Sequence, residues 1–169
     1  MIRVWIENLT MYNNGVSIGR WLNLPATDEQ IDETINEICK PGDEYFIPDY
    51  QTDIKHLEIS EYEMITELNE FAGEIESFGE EEKMALSAFL YHGYNYQDAV
   101  RKVNDGDYII YSDCYDMTDV AYQVVDETDM LHGVPDTLTM YFDYQAYGRD
   151  ISINGSFYYA GNGCYVEII

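Results

Sequence analysis

Between Lys55 and Lys83 the sequence has no lysine or arginine, and ten glutamates occupy the interval: Glu58, Glu61, Glu63, Glu67, Glu70, Glu74, Glu76, Glu80, Glu81 and Glu82. An ordinary solvated helix face alternates charge signs and so neutralises itself. This run cannot, and whatever it folds into must be held from its apolar side against the mutual repulsion of its carboxylates. The imbalance extends along the whole chain, with net charges of −7, −7 and −11 over residues 1–60, 61–103 and 104–169. The total of −25, from 33 acids and 8 bases, is far more than solubility requires.

Acidity on this scale is usual in disordered chains, but those are poor in aromatic residues. Here 17 Tyr, 6 Phe and 2 Trp accompany it and 46% of the residues are hydrophobic, enough for one fair-sized core or two to three small ones. The charge therefore sits on a folded body. Such a surface is repelled by nucleic acid and by anionic membranes, and the partner it fits is a basic protein surface. The three cysteines, Cys39, Cys114 and Cys164, are widely spaced and form no CxxC pair, the pattern of reduced thiols in a cytoplasm. Met1 to Asn8 lack a basic region followed by an apolar stretch, and no window approaches the roughly 18 apolar residues of a membrane span. A cytoplasmic location is expected.

Hydrophobic periodicity divides the chain into three segments of different character. Ile2, Val4 and Ile6 alternate as in a half-buried strand over Ile2–Asn8, and Val16–Leu24 reads as a second strand across the turn Tyr12-Asn13-Asn14-Gly15. Thr27 and Gln30 form a capping-box pattern ahead of Ile31, Ile35 and Ile38, and Pro41-Gly42 ends that helix. Strands over Glu44–Ile47 and Ile54–Ile59 complete the first expected unit. Ser60 and Glu63 give a second capping-box pattern, after which helix formers run to about Val103, divided by Gly73, Gly79, Gly93 and Asn95 into about three helices. From Asp107 a strand Tyr108–Tyr111, a helix Met117–Asp126, a helical piece near Tyr141–Tyr147 and a hairpin of Ile151–Ala160 with Cys164–Ile169 follow. The expected fold class is α+β, an elongated chain of three small sub-domains: 1–60 (α+β), 61–103 (helical) and 104–169 (α+β).

At about 100° per residue Glu63, Glu67, Glu70 and Glu74 fall in one stripe roughly 60° wide, with Met64, Ile65, Leu68, Phe71, Ala72 and Ile75 on the far side. Neighbours in that stripe lie about 5–6 Å apart, which is of the order of the step between phosphates on a DNA strand. Duplex DNA carries one charge per roughly 1.7 Å of axis, so 25 charges placed on one surface would match about 40 Å of duplex. The charge suffices for a footprint of about a dozen base pairs.

Two stretches carry a family likeness. Arg3-Val4-Trp5-Ile6-Glu7-Asn8-Leu9, followed by Tyr12-Asn13-Asn14-Gly15 and Gly19-Arg20-Trp21, is one; Phe142-Asp143-Tyr144-Gln145-Ala146-Tyr147-Gly148-Arg149-Asp150-Ile151 is the other. Together, in a chain this acidic and of this length, they resemble the ArdA family of antirestriction proteins along essentially the whole sequence. The resemblance implies an elongated DNA mimic, dimeric through its C-terminal domain and carried by conjugative plasmids or transposons. It would occupy the DNA-binding groove of type I restriction-modification enzymes, on their methyltransferase core, to block restriction, with a block of modification left open. It further implies an antirestriction motif whose counterpart spans Asp113 to Met130.

The candidate phosphate-mimicking carboxylates are accordingly Glu61, Glu63, Glu67, Glu70, Glu74, Glu80, Glu81 and Glu82 of the middle segment, with Asp105 and Asp107 after them. Asp113, Asp116, Asp119, Asp126, Glu127 and Asp129 follow from the motif. The last segment also holds more apolar surface than about 66 residues hide in one small layer. A homodimer interface is expected there, at Tyr111, Val120, Val124 and Val125.

Other chemistries leave weaker marks. His56, His92 and His132 are isolated and no HExxH or paired-Cys pattern occurs, so no metal or other cofactor is expected. Asp113, Asp116 and Asp119 are calcium-type ligands without the glycine and glutamate that a calcium loop needs. A cysteine nucleophile needs a positive field, which this surface does not offer. With 33 acids, any carboxylate pair suited to hydrolysis is uninformative. Arg20 and Arg149 are expected in internal ion pairs. The alternative to a DNA mimic is an acidic chaperone that sequesters basic proteins in general, separated from it by whether one DNA-dependent enzyme is bound selectively.

Overall fold

The alternation of apolar residues makes β1 (Ile2–Asn8) the middle strand of a three-stranded sheet in a computed structural model that describes residues 1–169. Ile2, Val4 and Ile6 are buried on one face, while Arg3 and Trp5 are half-buried on the other. The expected hairpin partner forms, but it is shorter and its connection is not a simple turn. Asn8 accepts a hydrogen bond at Oδ1 from the Met11 amide at 2.8 Å and so caps α1 (Leu9–Asn13), and β2 starts only at Gly19, running Gly19–Leu24. The same Asn8 amide donates to the Ile38 carbonyl and the Asp43 carboxylate, each at 2.8 Å. A single buried side chain thus ties three segments together.

The box on Thr27 forms in both directions, Gln30 N–H to Thr27 Oγ1 at 3.3 Å and Thr27 N–H to Gln30 Oε1 at 2.9 Å, and α2 spans Asp28–Ile38 with Ile31, Thr34 and Ile38 buried. β3 (Tyr45–Thr52) pairs antiparallel with the other edge of β1, giving the order β2-β1-β3. The strand expected over Ile54–Ile59 is absent. Thr52 Oγ1 accepts from the Ile54 amide at 3.1 Å and His56 sits at φ 63, so the chain turns there and buries Leu57 and Ile59 without strand pairing.

The second expected box also fails. Ser60 Oγ accepts from Tyr62 N–H, and α3 (Ile65–Glu76) begins two residues after Glu63 with no side-chain cap. Ile65, Leu68, Phe71 and Ala72 form its inner face. Asn69 fixes its position, accepting from the Ala26 amide at 2.7 Å and donating to the Ala26 carbonyl at 3.0 Å.

Contacts group the chain into two units, Met1–Gly79 with Asn95–Val100 and Glu80–Tyr94 with Arg101–Ile169. The middle segment therefore contributes α3 and the start of α5 (Tyr96–Asp105) to the first unit, and α4 (Glu80–Tyr91) and the end of α5 to the second.

In the second unit β4 (Tyr108–Tyr111), β6 (Cys164–Ile168) and β5 (Phe157–Gly161) form an antiparallel sheet in the order β4-β6-β5. The Gly161-Asn162-Gly163 turn joins the last two strands with all three residues at positive φ, which glycine adopts without strain. α6 (Met117–Glu127) packs its Val120 against Tyr111 and Cys114, with Met117, Val124, Ile151, Phe157 and Tyr165 around them. After α7 (Asp136–Thr139), Asp143 caps α8 (Tyr144–Asn154) at the Ala146 amide. The strand expected from Ile151 is thus helix as far as Asn154 and begins only at Phe157. α8 lies against the start of α6 at Gly148, where a Cβ would stand 2.3 Å from the Met117 carbonyl oxygen. Helices with two small antiparallel sheets make the fold α+β, as expected.

Candidate interaction surface

Glu67, Glu70 and Glu74 project from the outer side of α3 and are exposed, opposite its buried face. Glu63, which the wheel placed in the same stripe, precedes the helix and is half-buried. Its Oε1 accepts from the Tyr96 hydroxyl at 2.8 Å, and Glu67 Oε2 accepts from the Gln97 amide at 3.2 Å. Both donors are neutral. They hold two carboxylates in place without cancelling their charge, whereas a lysine would do both. Burial, then the bond to Glu63, pushes the Tyr96 hydroxyl well above its ordinary pKa, so it remains a donor at every physiological pH.

Glu80, Glu81 and Glu82 fill the first turn of α4, the positive end of the helix dipole, which offsets part of their crowding. Lys83 pairs with Glu80 at 3.3 Å, both exposed, and such a pair contributes little. Burial and then the Glu82 and Glu81 carboxylates raise the Tyr108 hydroxyl. Glu61 is exposed ahead of α3, and its carbonyl accepts from the Ile47 amide at 2.7 Å.

Of the carboxylates nearer the C-terminus, several are engaged in the fold. Asp107 pairs with Lys102 at 2.6 Å. Asp116 caps α6, accepting from Thr118 and Asp119 amides at 2.7 and 3.1 Å, and Asp119 reaches back to the Tyr115 amide at 2.8 Å. The amides of Asp119 and then Thr118 hold the Asp116 carboxyl below its ordinary pKa. Asp113 is exposed at φ 58. Asp105 ends α5, and Asp126 and Glu127 end α6, all exposed. A carboxylate at a helix C-terminus works against the dipole at a cost of about 0.3–1 kcal/mol. Lys102 in α5 is the one base in the last turn of any of the eight helices. Asp129 is exposed beyond α6, 3.1 Å from His132.

The wheel that picked out α3 also picks out α2 once the Thr27 box has placed it. Asp28, Glu29, Asp32 and Glu33 are all exposed there, an acidic face that lies outside the longest cation-free run of the sequence. Arg20 pairs with Glu37 of α2, and Arg149 with Asp150 at 3.9 Å, both on the surface rather than internally.

The residues expected at a dimer contact lie elsewhere than on the surface. Tyr111, Val120 and Val125 are buried within the protomer and Val124 packs half-buried on the same core. Sequence alone marks them as apolar but not as inward. The exposed apolar residues of this segment instead include Tyr122, Met130, Leu138, Met140 and Tyr141, the last at 79% exposure.

No group of three or more His, Cys, Asp or Glu is arranged to hold a metal ion. Burial, then Asp119 and Asp113, push the Cys114 thiol up to about 11, so it is protonated and inert at neutral pH. No helix is long and apolar enough to cross a membrane. What the arrangement offers is negative potential and hydrogen-bond acceptors, spread over α2, α3, the start of α4 and the end of α6. A family model described as antirestriction protein (ArdA) matches residues 4–166. A comparison with curated proteins found no match.

Proposed function

The chain belongs to the ArdA family of antirestriction proteins, and from that premise we propose that it inhibits type I restriction-modification enzymes by occupying, as a mimic of duplex DNA, the groove of their methyltransferase core. The observation that carries the reading is the placement of exposed carboxylates where they oppose folding: Asp105, Asp126 and Glu127 at helix C-termini, and Glu67, Glu70 and Glu74 in one like-charged stripe. Exposed carboxylates placed where they cost stability are explained by a partner. A surface of arginines and lysines that binds phosphates is the partner whose charge matches.

In this reading the protein is not an enzyme and acts in the cytoplasm that incoming DNA enters. A homodimer through residues 104–169 belongs to the same proposal, supported by the exposed apolar side chains Met130, Leu138, Met140 and Tyr141. Two-fold pairing would double the length of duplex imitated.

Competition tests the proposal. The purified protein should displace duplex DNA from a type I methyltransferase core, and its own binding to that core should weaken as salt is raised. Failure to displace DNA, or equal binding to histone-like and ribosomal proteins, would replace the mimic by a general acidic chaperone.

A further inference from the structure

The end of α6 borders a cleft of ≈ 470 Å³. Tyr122 and Tyr144 line it with their rings stacked, centroids 3.8 Å apart and planes inclined by 20°. Val125 and Leu131 add apolar surface, and Asp126 and Asp129 bring carboxylates to the same space. The combination is specific in its chemistry. An apolar ligand would leave the Asp126 carboxylate without a counterion, and an anion would be repelled. A cation with a flat, weakly hydrated head is what aromatic faces next to carboxylates accommodate. A guanidinium stacks on a tyrosine ring while giving two parallel N–H bonds to a carboxylate, whereas an ammonium is compact and strongly hydrated.

Residues 104–169, which supply the whole lining, have little of their own to put there. Arg149 is the only lysine or arginine among residues 104–169, and it lies beside Asp150. His132 approaches Asp129, leaving Asp126 as the carboxylate without that neighbour. The geometry points to an arginine side chain of a partner protein as the occupant, stacked on Tyr122 and paired with Asp126. This rests on the reading of the partner as a DNA-gripping surface, since such surfaces hold phosphates with arginines. It adds to that reading a single anchoring point. Diffuse carboxylates attract any basic protein, while a cleft that sorts guanidinium from ammonium selects among them.

The test uses the full chain and two synthetic probes, hexa-arginine and hexa-lysine, with tyrosine ring resonances as the readout. Hexa-arginine should shift the Tyr122 and Tyr144 signals at about tenfold lower concentration than hexa-lysine, a difference of about 1.4 kcal/mol. Tyr122→Ala, at a half-exposed position, should abolish the preference, as read at Tyr144, and Asp126→Asn should reduce it. Equal responses to the two peptides, or a preference that survives Tyr122→Ala, would overturn the inference. In the DNA-displacement assay Tyr122→Ala should inhibit about tenfold less well than the parent. Equal inhibition by both proteins overturns the cleft alone, and a parent that displaces no DNA overturns the proposed function while the peptides still decide the cleft. Light scattering separates the remaining occupant: if Tyr122→Ala splits a dimer, the cleft belongs to a second copy and not to a partner's arginine.

Discussion

At the start of α6, Asp116 and Asp119 accept hydrogen bonds from the amides of residues 115, 118 and 119, and at its end Asp126 and Glu127 stand exposed against the negative pole of the same helix. The side chains are of one type and about ten residues apart. The first pair stabilises the helix by satisfying its free N–H groups, and the second destabilises it. Charge counted along a sequence adds the two pairs together. Only position relative to a helix pole separates carboxylates held for folding from carboxylates held for a partner.

Removing the helix that both pairs share has the largest expected effect. Val120 is fully buried between them, and Val120→Asp should destabilise the second unit by about 3–5 kcal/mol as an unpaired buried charge. Circular dichroism should then show loss of helix at 37 °C, and an intact melting curve would contradict the packing of α6. Asp116→Ala should have the next largest effect, a lower melting temperature with inhibition per folded molecule unchanged. Its pH dependence has a definite sign: the folded pKa lies below the ordinary one, so the contribution is present above the ordinary aspartate range and is lost as pH falls through the lowered value. Melting temperatures of parent and variant should therefore converge in strong acid.

Asp126→Asn with Glu127→Gln should raise stability, by about 0.3–1 kcal/mol for each site, and weaken inhibition. A double variant that melts lower than the parent would remove the argument that these carboxylates oppose folding. The smallest effect belongs to single changes in the α3 stripe. Glu70→Gln should alter inhibition only slightly, because many screened contacts share the binding, and moderate salt should raise the melting temperature as it weakens binding. Loss of all inhibition from Glu70→Gln in a folded protein would point to catalysis or a metal instead.

The elements most legible in the sequence were those with one local solution. Ile2, Val4 and Ile6 specify β1, and Thr27 with Gln30 specifies the start of α2. The pattern Ser60 with Glu63 looks the same and fails because its parts find other partners: Ser60 turns to Tyr62 and Glu63 to Tyr96, 33 residues away. Nothing local announces that choice. The hairpin pattern places Ile151 in a strand, yet Asp143 starts a helix that carries it. Inward and outward apolar residues were likewise indistinguishable, so Tyr111 and Val120 were expected at an interface and belong to the core. The acidic surface was visible as a quantity, and the face on α2 became visible only with that helix placed.

The bonds from Tyr96 to Glu63 and from Gln97 to Glu67 bear on the timing of recognition. Encounter between a strongly negative and a strongly positive surface is governed by long-range steering, which depends on how much charge is present and hardly on whether a side chain is still. Two carboxylates already immobilised when the partner arrives lose no rotational freedom on contact. Their effect is expected in the lifetime of the complex: Tyr96→Phe, which frees Glu63 and keeps every charge, should leave association as fast and make dissociation faster.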